Sequence, residues 1–401
     1  MHKWIRQIAA GEDGLYTSVG LGTYVDPRIE GGKLNRVSTD DLVEVEKLGG
    51  RELLHYKGFK VDTAIIAGTT ADCAGNISLE EEPVTLSILA MAMAAKACGG
   101  KVIAEVKRLT ANGSIHPRQV AVPGALVDAV VINPDRQQSK LGFNPYWTGE
   151  VMLPWEEFVR NGTLPLPLDE RKVILRRAAQ EINPGYVINL GVGMPVDLRW
   201  IAMEENWFDK VTFTTEHGCF GGVPSGVEVF GTHINPGCIM DSPSIFDMYH
   251  GGGLDISLLG FAEVDLMGNV NVSKFGGVLR GSGGLIDIVH NTPKIVFCGT
   301  MTSGGLRTSI ENGRLTVVSE GRHQKFVQQV EQITFSARNA LAKSQKVLYV
   351  TERAVFELTE EGPVLTEVAP GIDIAKHVIP HVAFPLKIRE PLKTMEERLF
   401  R

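Results

Sequence analysis

Residues 212–224 read TFTTEHGCFGGVP, and we interpret the fold from this stretch outward. A strand-like run at 211–213 is followed by two threonines, Glu216 and a glycine-rich turn. In α/β folds, a strand that ends in such a loop presents a side chain at the carboxyl edge of the sheet. We therefore predict an acid, base or nucleophile at Glu216, with Gly218, Gly221 and Gly222 leaving room for a substrate. The alternative is a solvated acid in a strand-to-helix turn.

The composition is that of a globular protein with two or three domains. Of 401 residues, 43% are hydrophobic and 22% are charged, and the net charge is −7. This balance argues against nucleic-acid and anionic-membrane partners. The five cysteines are scattered without a Cys-x-x-Cys pair, which favours a reducing compartment and no zinc site. Without an uncharged apolar run of roughly 18 residues, we predict a cytoplasmic protein with no membrane contact.

Strand-like and helix-like runs alternate along the chain. We predict strands at 61–67, 101–106 and 126–132, and a helix at 83–98. The proline-rich stretch 144–168 has little periodicity and is typical of a linker. A helix at 170–182 and a strand at 186–190 follow it. Such alternation predicts open, mainly parallel sheets with crossover helices.

A repeat divides the chain into two similar halves. Four residues recur 193 positions later: Asp62, Asp72, Gly75 and Asn76 become Asp255, Asp265, Gly268 and Asn269. The strand-like triplets 101–103 and 294–296 match at the same offset. We predict two homologous α/β domains, at about 1–164 and 165–401.

The same repeat shows what the first half lacks. Glu216 corresponds to Thr23, so the acid belongs to the second half alone. The helix, strand and loop that open the second half would map ahead of residue 1 or just at it. We expect the first domain to lack its first βα unit, which means either a truncated chain or a unit supplied by a separate polypeptide.

Three glycine clusters lie in the second half, at 189–195, 251–255 and 281–287. Their backbone N–H groups can cradle a phosphate, or form an oxyanion hole for an acid nearby. Ordinary turn chemistry is an equally good explanation of each. As a dinucleotide fingerprint the first cluster lacks its third glycine, which weakens a dehydrogenase hypothesis.

Other candidates have little support. His217 and His116 lie near motifs, but neither has Asp or Ser partners at a recognisable spacing, and no nucleophile signature surrounds Cys219. No His-Glu-x-x-His motif, carboxylate-rich loop or Walker lysine is present, and we predict no metal.

Several motifs together resemble the family I coenzyme A transferases, above all the fused single-chain type that acts on short-chain acids such as acetate or propionate. The motifs are Glu216 with GGVP at 221–224, NLGVGMP at 189–195, GGGLD at 251–255 and GNVNVSKFG at 268–276. The resemblance runs from about residue 20 to residue 373.

The resemblance implies two similar open α/β domains with the active site between them. It implies that Glu216 is the catalytic residue and forms a glutamyl-CoA thioester, with oxyanion donors at Gly283 and Gly284. Pocket residues for the substrate and coenzyme A would be Asn189, Gly191, Gly193, Gly221, Gly222, Gly252 and Gly253. The implied partners are acyl-CoA and a short-chain or 3-oxo carboxylic acid, with no permanently bound cofactor, in a homo-oligomer.

One departure from the family pattern keeps other functions open. Family members begin with a further βα unit that has no match here, as the repeat also indicates. An acyl-CoA hydrolase differs from a transferase only in using water as the acceptor. A non-catalytic chain, or one that requires complementation by a partner, is the alternative outside the enzymes.

Overall fold

The computed structural model describes residues 2–138, 141–162 and 165–401. Ten α-helices lie in these ranges. They are α1 (His2–Ala9), α2 (Ile88–Ala97), α3 (Pro145–Thr148), α4 (Trp155–Gly162), α5 (Glu170–Ala179), α6 (Leu198–Glu204), α7 (Ser242–His250), α8 (Leu285–Ile288), α9 (Ala337–Ala342) and α10 (Ile374–His377). None of these helices is both long and apolar enough to cross a membrane.

Strands are numbered in the same way over the described residues. The first fifteen are β1 (Gly14–Thr17), β2 (Val43–Leu48), β3 (Arg51–Lys57), β4 (Thr63–Ala67), β5 (Thr70–Asp72), β6 (Ile77–Ser78), β7 (Lys101–Val106), β8 (Arg108–Thr110), β9 (Ala129–Ile132), β10 (Val187–Leu190), β11 (Thr212–Thr214), β12 (Cys219–Phe220), β13 (Val223–Pro224), β14 (His233–Ile234) and β15 (Cys238–Ile239). The others are β16 (Ile256–Gly260), β17 (Glu263–Val264), β18 (Val270–Asn271), β19 (Lys274–Phe275), β20 (Val278–Leu279), β21 (Lys294–Cys298), β22 (Thr302–Ser303), β23 (Arg307–Glu311), β24 (Arg314–Ser319), β25 (His323–Gln324), β26 (Lys346–Val350), β27 (Ala354–Thr359), β28 (Gly362–Val368) and β29 (Lys387–Thr394).

The chain forms two compact units. Unit 1 comprises Met1–Ser18, Leu42–Asn161 and Phe213–Met248. Its parallel sheet has the order β4-β7-β9, and α2 packs on one face. Alternate residues of β4 and β7 are buried there with the alanines of α2, and form an apolar core. Strands β15, β12 and β11 follow one another in a second, antiparallel arrangement.

Unit 2 comprises Val19–Asp41, Gly162–Thr212 and Tyr249–Arg401. Seven of its strands follow one another in the order β10-β16-β21-β26-β27-β28-β29. The first four are parallel, and β16, β21 and β26 are almost completely buried. Helix α5 packs against β21 and β26 through its apolar side chains. The buried, near-continuous apolar sequence of these strands is typical of parallel sheets covered on both faces.

The expected α/β class with largely parallel strands is confirmed. The strand predicted at 101–106 is β7 to the residue, and those at 61–67, 126–132 and 186–190 contain β4, β9 and β10. The division of the chain into two homologous domains at 164/165 stays a prediction from the repeat.

Two expectations need correction. The helix predicted at 83–98 begins only at Ile88, because Leu86 has a left-handed backbone (φ 56°) that a helix excludes. The proline-rich stretch 144–168, which we interpreted as a linker, contains the helices α3 and α4. Pro145 occupies the first turn of α3, where its missing N–H costs nothing. Residues 163–164 of that stretch lie outside the described residues.

Candidate active site

Glu216 lies at the tip of a tight β-hairpin. β11 ends at Thr214 and the antiparallel β12 begins at Cys219. The N–H of Gly218 donates to the carbonyl of Thr215 at 3.0 Å, and the N–H of Thr215 donates to the carbonyl of Cys219 at 3.2 Å. Glu216 therefore follows the carboxyl end of a strand, as predicted. The chain then returns as a strand, so this turn joins two strands and not a strand and a helix.

Two glycines of this segment are required by the backbone itself. A Cβ on Gly218 would collide with the carbonyl oxygen of Met240, and one on Gly222 would collide with that of Asn235. Both glycines have positive φ, 119° and 65°. The room that we expected them to leave for a substrate is therefore filled by the protein backbone. Gly221 differs, since no atom lies within 3.5 Å of a Cβ built there and its nearest neighbour is at 3.6 Å.

A buried histidine supports the hairpin. The hydroxyl of Thr215 donates to the carbonyl of Gly231 at 3.0 Å and lies 3.3 Å from Nε2 of His233. Nδ1 of His233 lies 2.6 Å from the carbonyl oxygen of Gly221. Because a carbonyl only accepts, this nitrogen carries the proton. His233 is completely buried, and it thus connects the residue before Glu216 to the glycines after it.

The Glu216 carboxylate has an orphaned atom. Its Oε2 is buried and has no hydrogen-bond partner in the part of the chain that the structure describes. Buried polar atoms are ordinarily bonded, so such an atom points to a role in binding or reaction. Nδ1 of His217 is likewise buried and unbonded among the described residues. The His217 ring packs edge-on against Phe230, with 5.6 Å between centroids, and this contact fixes its orientation.

The structure disfavours the lesser candidates. Cys219 is completely buried, and burial raises the pKa of its thiol to about 12, which keeps it protonated and unreactive. His116 is exposed, and its Nδ1 accepts the N–H of Arg118 at 3.2 Å at the start of a short turn. That contact is a local cap and gives His116 a structural role.

Asn189 is the penultimate residue of β10 and also has a buried polar atom without a partner among the described residues. Its Nδ2 lies 3.3 Å from the hydroxyl of Tyr249, and its Oδ1 is buried without a partner among the described residues. The N–H of Gly191 donates to the carbonyl of Leu258 at 2.8 Å and is therefore not available to a ligand. Gly193 has φ 94° and open space where a Cβ would stand. Of the two glycines, Gly193 is the one suited to close approach by a ligand.

Gly252 is explained by turn chemistry. It has φ 87° and follows the last turn of α7, and its N–H donates to the carbonyl of Tyr249 at 3.1 Å. A glycine with positive φ after a helix is the usual way to end it. Gly253 is half-buried, and its N–H has no partner among the described residues.

Gly283 and Gly284 lead into α8. Gly283 has φ 53° and Gly284 caps the helix. Over the described ranges, neither of their backbone N–H groups has a hydrogen-bond partner. Unbonded N–H groups in a turn are suitable donors to a developing oxyanion. The loop before them is held by Ser273, whose carbonyl accepts the N–H of Arg280 at 2.7 Å.

The structure groups the predicted residues in two sets. Unit 1 holds Glu216, Gly221 and Gly222, and unit 2 holds Asn189, Gly191, Gly193, Gly252, Gly253, Gly283 and Gly284. His233 contacts Thr215, and Tyr249 contacts Asn189, although the sequence predicts neither as a site residue. No local motif marks either residue, since each meets its partner only through the fold.

Comparison with known proteins identifies relatives of nearly the whole chain. The sequence model of the coenzyme A transferase family matches residues 1–133. The chain is 44% identical to the caffeate CoA-transferase of Acetobacterium woodii, over 98% of this chain and 76% of that protein. It is 42% identical to the acetate CoA-transferase YdiF of Escherichia coli K12, over 99% of this chain and 74% of that protein.

A solved structure shares the fold. The acyl-CoA transferase YdiF from Escherichia coli O157:H7, crystallised as a thioester complex with CoA, superposes with a TM-score of 0.93 at 40% sequence identity. The match covers 100% of this chain and 75% of that one.

Proposed function

Because the chain belongs to the coenzyme A transferase family, we propose that it transfers coenzyme A between an acyl-CoA and a free carboxylic acid through a covalent intermediate on Glu216. The observation that carries the proposal is the buried, unbonded Oε2 of Glu216 at the tip of a rigid hairpin. A solved relative is described as a thioester complex with CoA, which supports covalent chemistry.

The reaction divides into two pairs of steps. The Glu216 carboxylate attacks the acyl carbonyl, the carbon–sulfur bond breaks, and coenzyme A leaves as its thiolate. The thiolate then attacks the glutamyl carbonyl of the mixed anhydride, the first acid leaves as a carboxylate, and a glutamyl-CoA thioester remains. A second acid reverses both steps and leaves with coenzyme A. The activation of the acyl group is kept throughout, so no other energy source is needed.

The hairpin gives Glu216 properties that a nucleophile needs. The contacts of Thr215 and His233 hold its backbone, which lowers the entropy cost of reaching the reactive geometry. Its orphaned oxygen forms no hydrogen bond within the described residues that would have to break before attack.

We assign the remaining predicted residues by the family resemblance. The unbonded N–H groups of Gly283 and Gly284 donate to the oxyanion of the tetrahedral intermediates. In unit 2 we assign Asn189, Gly193 and Gly253 to substrate binding, and in unit 1 we assign Gly221. Gly191, Gly222 and Gly252, which the resemblance also implied, are explained by the backbone contacts and the helix end described above.

We propose short-chain acids as substrates, such as acetate, propionate, butyrate or a 3-oxo acid, in short-chain fatty acid and ketone body metabolism. One relative is a caffeate CoA-transferase and the other an acetate CoA-transferase. Caffeate is therefore the acid to compare with short-chain acids as the acceptor. We further propose a cytoplasmic homo-oligomer without a permanently bound cofactor.

Intact-mass spectrometry tests the mechanism. The purified chain is mixed with acetyl-CoA in the absence of an acceptor acid. We expect a mass gain equal to bound coenzyme A, mapped to Glu216 by peptide analysis and lost in Glu216→Gln. Glu228→Gln, which changes an exposed acid of the same unit, serves as the matched control and should keep the adduct.

Two results would overturn the proposal: no adduct although coenzyme A binds, or an adduct that Glu216→Gln retains. Addition of propionate or caffeate then separates transfer from hydrolysis. Beyond the one equivalent that forms the adduct, a transferase consumes acetyl-CoA only when such an acid is present, whereas a hydrolase consumes it without one.

A further inference from the structure

Glu216 shares its turn with a histidine. The N–H of Gly218 donates to the carbonyl of Thr215 at 3.0 Å and closes a four-residue turn. Glu216 and His217 are the two central residues of this turn, and both are half-buried. Each also has a buried polar atom without a hydrogen bond among the described residues, Oε2 of the acid and Nδ1 of the ring. The tip of the hairpin therefore presents two polar side chains, and the reaction steps above use only the acid.

The His217 ring is held by Phe230 and Gly231. Phe230 packs edge-on against it, with an angle of 87° between the ring planes. A Cβ on Gly231 would stand only 2.4 Å from Cγ of the ring. Gly231 is buried and has φ 101°, so the backbone conformation and the ring both require glycine here. The chain thus makes room for a ring at this position.

The loop that carries these two residues is itself fixed. The N–H of Ser225 donates to the carbonyl of Thr232 at 2.9 Å, and the two hydroxyls of this pair lie 2.8 Å apart. The hydroxyl of Thr215 donates to the carbonyl of Gly231, as described above. All of these residues belong to unit 1. The ring therefore has a fixed position beside the turn of Glu216.

The outer edge of the ring is the part that a ligand can reach. A Cβ on Gly231 would stand 2.5 Å from Nδ1 and 2.8 Å from Cδ2, so these atoms and Cγ face the glycine. Nδ1 is buried, whereas His217 as a whole is half-buried. The exposed part of the ring is therefore the opposite edge, formed by Cε1 and Nε2.

Nε2 carries a proton in either charge state of the ring. In the cation both nitrogens are protonated, and in the neutral ring one of them is. A proton on Nδ1 would make a buried N–H group without an acceptor, which is rarer in proteins than a buried acceptor without a donor. The neutral ring therefore has its proton on Nε2. His233 has the opposite tautomer, because its Nδ1 faces the carbonyl oxygen of Gly221.

The second half of the proposed reaction needs such a donor. The acid enters as an anion, and its carboxylate attacks the carbonyl carbon of the glutamyl-CoA thioester. A carbon–oxygen bond forms, the carbon–sulfur bond breaks, and coenzyme A leaves as its thiolate. No proton moves in this step, so a histidine has no acid–base work to do. Transfer of a carboxylate from water to a half-buried site is costly unless hydrogen bonds replace those to water.

We propose that His217 binds the acid substrate, with the N–H of Nε2 donating to the carboxylate oxygen that does not attack. This role rests on the proposed function, since it concerns the acid that reacts at Glu216. Phe230 and Gly231 orient the ring for this bond. Packing alone does not account for a histidine here, because a phenylalanine ring would fill the space without a buried, unbonded nitrogen.

Single-turnover kinetics tests the role of the donor. The thioester enzyme is prepared with acetyl-CoA, freed of acetate by desalting, and mixed with increasing concentrations of propionate, and the formation of propionyl-CoA is followed. His217→Phe keeps an aromatic ring but removes the N–H group. We expect its half-saturating propionate concentration to rise by about tenfold or more, which is typical for the loss of a hydrogen bond to a charged group. The limiting rate should change by less than about threefold, because the loss falls on binding.

Three further variants separate the donor from the packing of the ring. His217→Gln keeps an N–H donor and should restore most of the affinity for propionate. His217→Leu removes the donor with a smaller side chain, and it replaces His217→Phe if the melting temperature of that variant is lowered. His116→Phe changes an exposed histidine of the same unit, and this matched control should leave the half-saturating concentration unchanged.

A binding measurement separates this proposal from the proposed function. Glu216→Gln is a neutral, unreactive analogue of the thioester, and propionate is titrated into this variant with isotope-labelled histidine. We expect a saturable shift of the His217 Nε2 resonance with propionate and none with propionamide, which has no charge. The resonance is identified by its loss in Glu216→Gln/His217→Phe.

The outcomes of the two experiments are distinct. A parent chain that forms no thioester counts against the proposed function, while the titration still decides whether His217 binds the acid. The role of His217 is overturned if propionate leaves its Nε2 resonance unmoved, or if His217→Phe and His217→Leu saturate at the propionate concentration of the parent. A raised concentration that His217→Gln does not lower would also overturn it, because packing and not the donor would then be the cause.

Discussion

Asp72 accepts both the backbone N–H and the side-chain amide of Asn76 at 3.0 Å, and Asp265 binds Asn269 in the same way at 2.9 and 3.1 Å. Between each pair stands a glycine, with φ 85° in the first turn and 87° in the second. The repeat is therefore a repeat of hydrogen-bonded geometry as well as of residues. In each turn the carboxylate accepts backbone and side-chain N–H groups that would otherwise have no hydrogen-bond partner.

Replacement of Asp265 should destabilise the protein. Asp265 is 4% exposed and also accepts the N–H of Met267 at 3.0 Å. Asp265→Ala leaves these donors unbonded, and we expect the free energy of unfolding to fall by about 1–3 kcal/mol. Urea unfolding measures this loss of free energy. Asp62→Ala, at an exposed position, is the control and should stay within about 0.5 kcal/mol of the parent. Equal losses in the two variants would refute a structural role for the carboxylate.

The hairpin glycines offer a matched pair for stability. Gly218→Ala places a Cβ against the carbonyl oxygen of Met240, which cannot move without disrupting the strands. Gly221→Ala makes only an ordinary van der Waals contact with Gly237, at 3.6 Å. With φ 66°, it should cost only about 1 kcal/mol for the backbone conformation. Thermal unfolding should show a clearly larger loss for Gly218→Ala. A similar loss in both would mean that φ alone, and not the close approach, requires glycine at 218.

Thiol labelling should distinguish the cysteines. Burial raises the pKa of both Cys219 and Cys298 to about 12, so neither forms its thiolate near neutral pH. Cys73 and Cys238 are exposed. In the native protein at pH 8, iodoacetamide should modify Cys73 and Cys238 and spare Cys219 and Cys298, as peptide mass mapping would show. Rapid native labelling of Cys219 would contradict its burial and reopen its role as a nucleophile.

Local signals explain what the sequence could predict. The bounds of β7 follow from an apolar run between Gly100 and charged residues, and the turns at Asp72 and Asp265 follow from Asp, Gly and Asn at fixed spacing. The position of Glu216 at a strand end follows for the same reason. Each of these features is decided within a few residues along the chain.

The rest depends on contacts between distant residues. His233 supports the hairpin from 18 positions after Thr215, and no periodicity marks it. Glycine is required at 218 because a Cβ there would collide with the carbonyl oxygen of Met240, a residue distant in the sequence. The late start of α2 depends on the left-handed backbone of Leu86, a residue that rarely adopts it. Such choices are decided by tertiary packing, which a single sequence does not display.

Lys325 predicts a pH dependence of stability. It is 7% exposed over the ring of Phe261, and burial lowers its pKa from 10.5 to about 8, although Glu352 acts in the opposite direction. The unfolded chain thus binds more protons than the folded one between about pH 8 and 10.5, so this group makes stability rise with pH across that window. Below pH 8 the free-energy cost of burying the charged Lys325 is fully present.

Lys325→Met should therefore raise the free energy of unfolding at pH 7 by about 1–3 kcal/mol, at about 1.4 kcal/mol per pKa unit less the lost cation–π contact. The gain should shrink as the pH approaches 10.5. Denaturant unfolding at pH 7 and pH 10 measures the difference, and Lys47→Met, at an exposed position of β2, should show no such change. A gain in stability that is independent of pH would show that the packing of the side chain at 325, and not the burial of its charge, causes the effect of Lys325→Met.

The length of the Glu216 side chain should control turnover. Glu216→Gln keeps the shape of the side chain but removes the nucleophilic oxygen, so we expect no detectable transfer and unchanged thermal stability. Glu216→Asp keeps the carboxylate but withdraws it by about one methylene, and a displacement on this scale costs around a hundredfold in rate. Because substrate binding does not depend on the attacking oxygen, the loss should fall on kcat, with KM for acyl-CoA little changed. Steady-state kinetics with acetyl-CoA and a second acid measures both constants. Near-normal kcat in Glu216→Gln would remove Glu216 from the mechanism, whereas a rise in KM at constant kcat would assign it to substrate binding.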